Sequence, residues 1–335
     1  IGGVVTEHFS WRGVFLINVP IGLATIGLVF WKLKGEWAEA KGEEFDLTGS
    51  IIYGTALTVL MYGLSVVPSL TGVVLVGIGA LGAAVFVKWE NRQQSPVFNL
   101  SLFRQNRVFA FSGLAALLHY SATFAVTFLL SIYLQQVKDI SPRSAGLILV
   151  TQPAVMAIFS PLAGWISDRT EPRIVASAGM GFTTIGLIAL TLLTQDSSLG
   201  FMIGSLVVLG FGFAFFSSPN MNAIMSSVEK RFYGVASGSV GTMRLLGQVI
   251  SMGVATVIFA LFMGRVQITP EYRPVLVNAL NCAFAVFAVF CGGGIFASLA
   301  RGRLRNSSNT DLPDGRSSKR RTDSRLKSDE ESHHL

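Results

Sequence analysis

Charge is scarce in this sequence, and unevenly placed. Only 13% of the 335 residues are Asp, Glu, Lys or Arg, against about a quarter in soluble domains. Long stretches carry none, while 9 of the 26 Lys and Arg fall in the last 35 residues. A bilayer enforces that segregation, because a charged side chain near its centre costs several kcal/mol. Cysteine is nearly absent too. Cys282 and Cys291 share one apolar run, where helical rise holds them roughly 13 Å apart; they do not pair with each other and carry no information on redox compartment. The sequence also lacks a nucleophile elbow, a phosphate loop, a metal-ligand cluster and a carboxylate pair. It therefore offers no enzyme machinery and calls for no metal or cofactor. The net charge of +7 does not point to nucleic acid, since the basic residues sit between apolar runs and in the tail, not on one interleaved face.

What is abundant is apolar length. Hydrophobic residues make up 51% of the chain, and a hydrocarbon core of about 30 Å needs roughly 20 of them in succession as helix. Nine runs qualify, at 14–31, 49–67, 69–87, 108–134, 144–167, 174–194, 199–228, 233–263 and 274–300. The short alternating segments of a strand barrel are missing, so the predicted class is an all-α polytopic membrane protein with nine transmembrane helices and the lipid bilayer as partner. With the C-terminal tail on the cytoplasmic side, the inner connections hold eleven Lys and Arg and the outer ones five, the asymmetry of the positive-inside rule. Residues 32–48 read as a cytosolic connector, 89–107 as a cytosolic loop, and 301–335 as a disordered cytosolic tail too polar to bury a core. Its Lys319-Arg320-Arg321 cluster fits either a plain solvated tail or contact with anionic lipid.

Several motifs refine this reading. After the span ending near Trp165 comes GWISDRTEPR, with Gly164, Asp168, Arg169 and Arg173. Gly164 would let two helices approach closely, Asp168 would cap the next helix or pair with a cation, and the arginines would anchor the loop at the inner surface. The stretch resembles the loop signature G-x-x-x-D-R-x-G-R-[KR] of the major facilitator superfamily, with the second glycine replaced. It falls between the second and third of the last six spans, so that 108–300 reads as one six-helix bundle. Ahead of it, 49–88 resembles the central helix pair of fourteen-helix drug:proton antiporters of EmrB/QacA type. Ile1-Gly2-Gly3 and WRGVFLINVPIG, from Trp11 to Gly22, resemble the antiporter signature and the run after it. Pro219, the Gly234–Gly238 stretch, Arg244 and Gly247 resemble a further pattern of that family. The resemblance implies a chain of nine helices from an original fourteen, truncated at its N-terminus, with 1–31 as the end of the N-terminal bundle. It also implies efflux of drugs or toxic small molecules by alternating access, with protons as partners of the full-length protein. A metabolite carrier on the same fold, or a non-transporting remnant, is the alternative.

None of the nine runs contains Asp or Glu. In the resembled family the coupling acid lies in the N-terminal bundle. His119, near mid-membrane, fits either proton or substrate handling or a neutral, hydrogen-bonded packing role. Arg244 is the one long cation within a run, to be satisfied by snorkelling or backbone carbonyls, and Gln248 follows at i+4 on its face. Gln152-Pro153, Ser160-Pro161 and Ser218-Pro219 read as three helix breaks, and Asn220, Asn222, Asn278 and Asn281 supply polar groups; each one fits an interhelical hydrogen bond or, as a set, the lining of a midplane small-molecule site. Phe124, Phe128, Phe211, Phe213, Phe215 and Phe216 suit either an apolar drug cavity or a lipid-facing surface.

Overall fold

A computed structural model describes residues 18–32, 46–93, 100–264 and 270–302, together with Arg12 and Leu16. The glycines of Ile1-Gly2-Gly3, most of the stretch from Trp11 to Ile17, the bulk of the 32–48 connector and the tail from residue 303 onward lie outside the described residues. Every regular element among those described is helical. In chain order these are α1 (Asn18–Lys32), α2 (Leu47–Val66), α3 (Leu70–Glu90), α4 (Leu100–Gln105), α5 (Arg107–Ile132), α6 (Pro142–Leu149), α7 (Thr151–Arg169), α8 (Pro172–Leu190), α9 (Leu199–Ser226), α10 (Tyr233–Met263) and α11 (Arg273–Ala300).

Eight of the nine expected spans are long and apolar enough to cross a membrane, with a wider-wound turn extending α5 to Val137 and α6 and α7 serving as one span. The first run, 14–31, begins outside the described residues; its described helix, α1, has 15 residues.

Side-chain caps set several helix starts. Asp46, Ser69, Asn106, Ser141 and Ser198 each accept a hydrogen bond from the backbone N–H three residues on, relieving one of the orphan donors of a first turn. Three proline breaks were expected, and the structure corrects two of them. Pro161 and Pro219 lie inside continuous helices. The one discontinuity falls at Val150, between α6 and α7, and Pro153 occupies the first turn of α7, where its missing N–H costs little.

Both antiparallel and parallel neighbours assemble the bundle: α8 packs antiparallel on α9 and α11, α5 antiparallel on α11 but parallel to α10, and α7 parallel to α9, while α2 and α3 form a hairpin whose first helix leans on α10. Small residues make the contacts close, as expected where lipid removes the hydrophobic drive between helices. A Cβ at Gly179 would stand 2.5 Å from Phe216 N and 2.6 Å from Phe215 C. Gly179→Val is therefore expected to push α8 from α9 and destabilise the bundle by about 1–3 kcal/mol, read as a drop of several degrees in apparent melting temperature in detergent.

At one end of the bundle, Tyr133 donates to Thr194 O (2.7 Å), Arg273 pairs with Asp139 (2.6 Å), and Asn281 donates to Leu193 O (3.0 Å). The other end is closed by Asn106 to Ser227 O (2.5 Å) and by the contacts around Asp168 and Arg301 described below.

Candidate functional site

A cavity of about 780 Å³ opens between α5, α7, α9 and α10, within the size range of small-molecule sites. Its walls come from helical periodicity. On α5, Tyr120, Thr123, Phe124, Thr127, Phe128 and Ser131 follow at three- and four-residue spacing, one face of a helix. Gln152, Pro153 and Met156 project from the start of α7, Phe213 from α9, and Gln248 and Met252 from α10. Phe124 and Phe128 are about half exposed, at 47% and 49%, because the space before them is empty.

None of the described lining residues is charged. Thr123 Oγ1 donates back to His119 O at 2.7 Å and is spent. The Tyr120 and Thr127 hydroxyls and the Gln152 and Gln248 amides, by contrast, bond to no other described protein group. Each Gln amide carries donors and an acceptor together. The site thus presents aromatic faces and unspent neutral hydrogen-bonding groups, and no fixed charge for an ionic substrate group.

Of the polar residues singled out from sequence, Gln152 and Gln248 meet in this cavity; the other polar ones do not line it. Arg244 is exposed on α10, one turn before Gln248, and Asn278 is exposed on α11. Asn281 is committed to Leu193 O, and Asn222 donates to Asp168 Oδ1 at 3.0 Å. Phe213 joins Phe124 and Phe128 in the wall, whereas Phe211 packs on Phe159 at 4.3 Å and Phe215 on Phe182 at 6.3 Å.

His119 lies just behind the wall, fully buried, stacked on Phe216 at 4.0 Å and edge-on to Phe213 at 4.8 Å. A hydrogen-bonded packing role was one expectation; in fact neither ring nitrogen has a partner. His119→Ala is expected to cost about 2–4 kcal/mol of packing, whereas His119→Phe keeps the stack, removes two orphaned nitrogens, and is expected to melt at or above wild type.

The loop signature is also rearranged. α8 begins at Pro172 with Glu171 as its N-cap and no side-chain capping bond, so Asp168 does not cap it; it accepts from Asn222 and so ties α7 to α9. The Arg169 guanidinium lies 3.9 Å over the Trp165 ring, a cation–π contact. Gly164 faces Ser218 of α9, where a Cβ would meet Oγ at 3.4 Å. Arg173 is half-buried, with its Nε enclosed and unpartnered.

Sequence reasoning missed Arg301. Placed at the head of a polar tail, it is 1% exposed and belongs to the bundle. Its Nη1 donates to Ser112 Oγ of α5 (3.1 Å) and to Asn220 Oδ1 of α9 (3.0 Å), while Asn220 Nδ2 donates to Ser112 O (3.2 Å). Asn220, expected at the cavity, therefore joins three helices. Burial, then the charge of Arg173, pushes the Arg301 guanidinium down to about 10 against an opposing pull from Glu171; it stays protonated near neutral pH. The only sequence signal was an arginine abutting the last apolar run, which reads as an ordinary interfacial flank.

Comparison with known proteins gives this architecture relatives. The family model described as Major Facilitator Superfamily matches residues 1–252 and 113–321. The chain is similar to a riboflavin transporter, RibZ, of Clostridioides difficile (28% identity, 89% of this chain, 65% of the relative). It is similar as well to the tetracenomycin C resistance and export protein of Streptomyces glaucescens (32% identity, 79% and 50%). A third relative is the multidrug efflux pump LfrA of Mycolicibacterium smegmatis (28%, 86% and 58%). The chain thus spans about half to two thirds of the length of these proteins.

Proposed function

The chain belongs to the Major Facilitator Superfamily and is an integral membrane protein, and from that premise we propose that it exports amphipathic aromatic small molecules by alternating access. The observation that carries this reading is the uncharged cavity of about 780 Å³. Three phenylalanines supply faces on which flat rings stack. Gln152, Gln248, Tyr120 and Thr127 offer unspent neutral partners for carbonyl, hydroxyl or N–H groups at a ring edge. Relatives named for multidrug efflux and for tetracenomycin C export support that cargo.

In this reading α2 and α3 are the central pair of a fourteen-helix antiporter, and α5 to α11 form its C-terminal bundle. Asp168, Arg169 and Arg173 face the cytoplasm, as the excess of basic residues on that side favours, and the protein resides in the cell membrane. Transport is driven by protons. No carboxylate is among the described cavity residues, so the proton is taken up by a group elsewhere in the full-length protein.

The test compares a neutral fluorescent polycyclic dye with its sulfonated derivative in cells expressing the full-length protein. Wild type is expected to extrude the neutral dye and not the sulfonate. With both Gln152→Leu and Gln248→Leu, efflux of the neutral dye is expected to fall about tenfold or more, as when binding groups are lost from a polar site. Equal export of both dyes would defeat the reading. The similarity to a riboflavin transporter favours a second one, a metabolite carrier on the same cavity; it predicts saturable metabolite flux and no change in drug resistance.

A further inference from the structure

Where α8 begins and α11 ends, Arg173 and Arg301 come close enough for their charges to interact, and neither forms an ion pair with a carboxylate of the described residues. Arg301 is 1% exposed, and only its Nη1 is used; Nε and Nη2 are buried without partners. Arg173, in the first turn of α8, is close enough to act on the Arg301 charge, and its own Nε is likewise buried and unpartnered. The Glu171 charge opposes that of Arg173, yet no carboxylate of the described residues forms an ion pair with Arg301.

Guanidinium groups present several N–H donors in a planar fork suited to oxyanions. Leaving those donors unmade inside a membrane protein is costly, and placing two like charges together adds to the cost. The N-terminus of α8, a helix of 19 residues whose N-cap makes no side-chain bond, adds the positive end of its dipole. The hydrogen bond from Ser177 to Ser298 (2.8 Å) clamps α8 to α11 one turn away, so the arrangement is held in place.

We propose that Arg301 and Arg173, with the first turn of α8, form a binding site for a phosphate oxyanion, supplied by an anionic phospholipid headgroup or by free phosphate. Basic pockets between transmembrane helices near a membrane surface take lipid phosphates by this chemistry. The site is separate from the cavity and independent of the transported cargo. Its occupant would neutralise the paired arginines and hold α8 and α11 together.

Thermal unfolding tests it. The purified full-length protein is melted in detergent with sodium phosphate or with sodium chloride at matched ionic strength. It is melted again in nanodiscs of phosphatidylcholine alone or with phosphatidylglycerol. Phosphate or phosphatidylglycerol is expected to raise the melting temperature by about 3 °C or more, with the increment at least halved in Arg173→Gln and in Arg301→Gln. A response to inorganic phosphate identifies the free anion, and a response to phosphatidylglycerol alone identifies the lipid. No increment in either medium, or an undiminished one in the variants, overturns the proposal. Should Arg301→Gln fail to fold, the half-buried Arg173→Gln decides alone.

Discussion

Thr127→Trp is expected to reduce transport to near background while leaving the protein folded. Thr127 sits on the cavity face of α5 between Phe124 and Phe128, and its hydroxyl bonds to no other described group. An indole there projects into the space a flat substrate would occupy, and losing only about 1.4 kcal/mol of substrate binding already lowers affinity tenfold. Since the new ring enters an open cavity, the overpacking penalty of a filled core does not arise. The control is Val289→Trp on α11, where the residue is 72% exposed on the outer surface; it is expected to transport as wild type. Dye efflux from cells, with surface expression measured in parallel, checks both.

Asn220→Leu should strongly lower stability. The Asn220 amide accepts from Arg301 Nη1 and donates to Ser112 O, so one side chain serves a buried cation on α11 and a backbone carbonyl on α5. Leucine has similar bulk but no polar atoms. It would strand both groups and leave Ser112 Oγ as the only described hydrogen-bond partner of the guanidinium. Hydrogen bonds to charged groups contribute about 1.5–3 kcal/mol each, and stranding a buried charge adds to that. A loss of about 2–4 kcal/mol is expected, read as a melting temperature lower by roughly 5–15 °C. Ser112→Ala, which keeps the Asn220 bonds, is expected to fall between Asn220→Leu and wild type.

The spans were legible because apolar length is a one-dimensional property. Eight of the nine runs became helices long enough to cross a membrane, most with ends within a few residues of those read from charge and proline. Helix breaks were harder to place. Proline was taken as the breaker, but the chain turns at Val150, and Pro153 lies in the first turn of the following helix, where proline is tolerated. Pro161 and Pro219 sit in uninterrupted helices, because neighbouring groups inside a bundle can satisfy the freed carbonyls.

The cavity was legible only in part, for a different reason. Sequence identifies polar residues within apolar runs but not the direction each one faces. Gln152 and Gln248 face the cavity, whereas Asn220, Asn222 and Asn281 are consumed by cross-helix bonds, the commoner fate of a polar side chain in a membrane bundle. On the α5 face only Phe124 and Phe128 stand out in the sequence; Thr127 and Ser131 carry nothing that separates them from other small polar residues. Arg301 was hidden by its position. One residue past an apolar run, an arginine normally snorkels to the interface, and only the docking of α11 against Ser112 and Asn220 turns it inward.

The central claim is that the substrate path runs through the cavity between α5, α7, α9 and α10. Its most direct test is accumulation of the neutral polycyclic dye in everted membrane vesicles containing the full-length protein, with and without an imposed proton gradient. Wild-type vesicles are predicted to concentrate the dye only while the gradient lasts, Val289→Trp vesicles to match them, and Thr127→Trp vesicles to remain at background. Gradient-driven accumulation in Thr127→Trp vesicles equal to wild type would contradict the account.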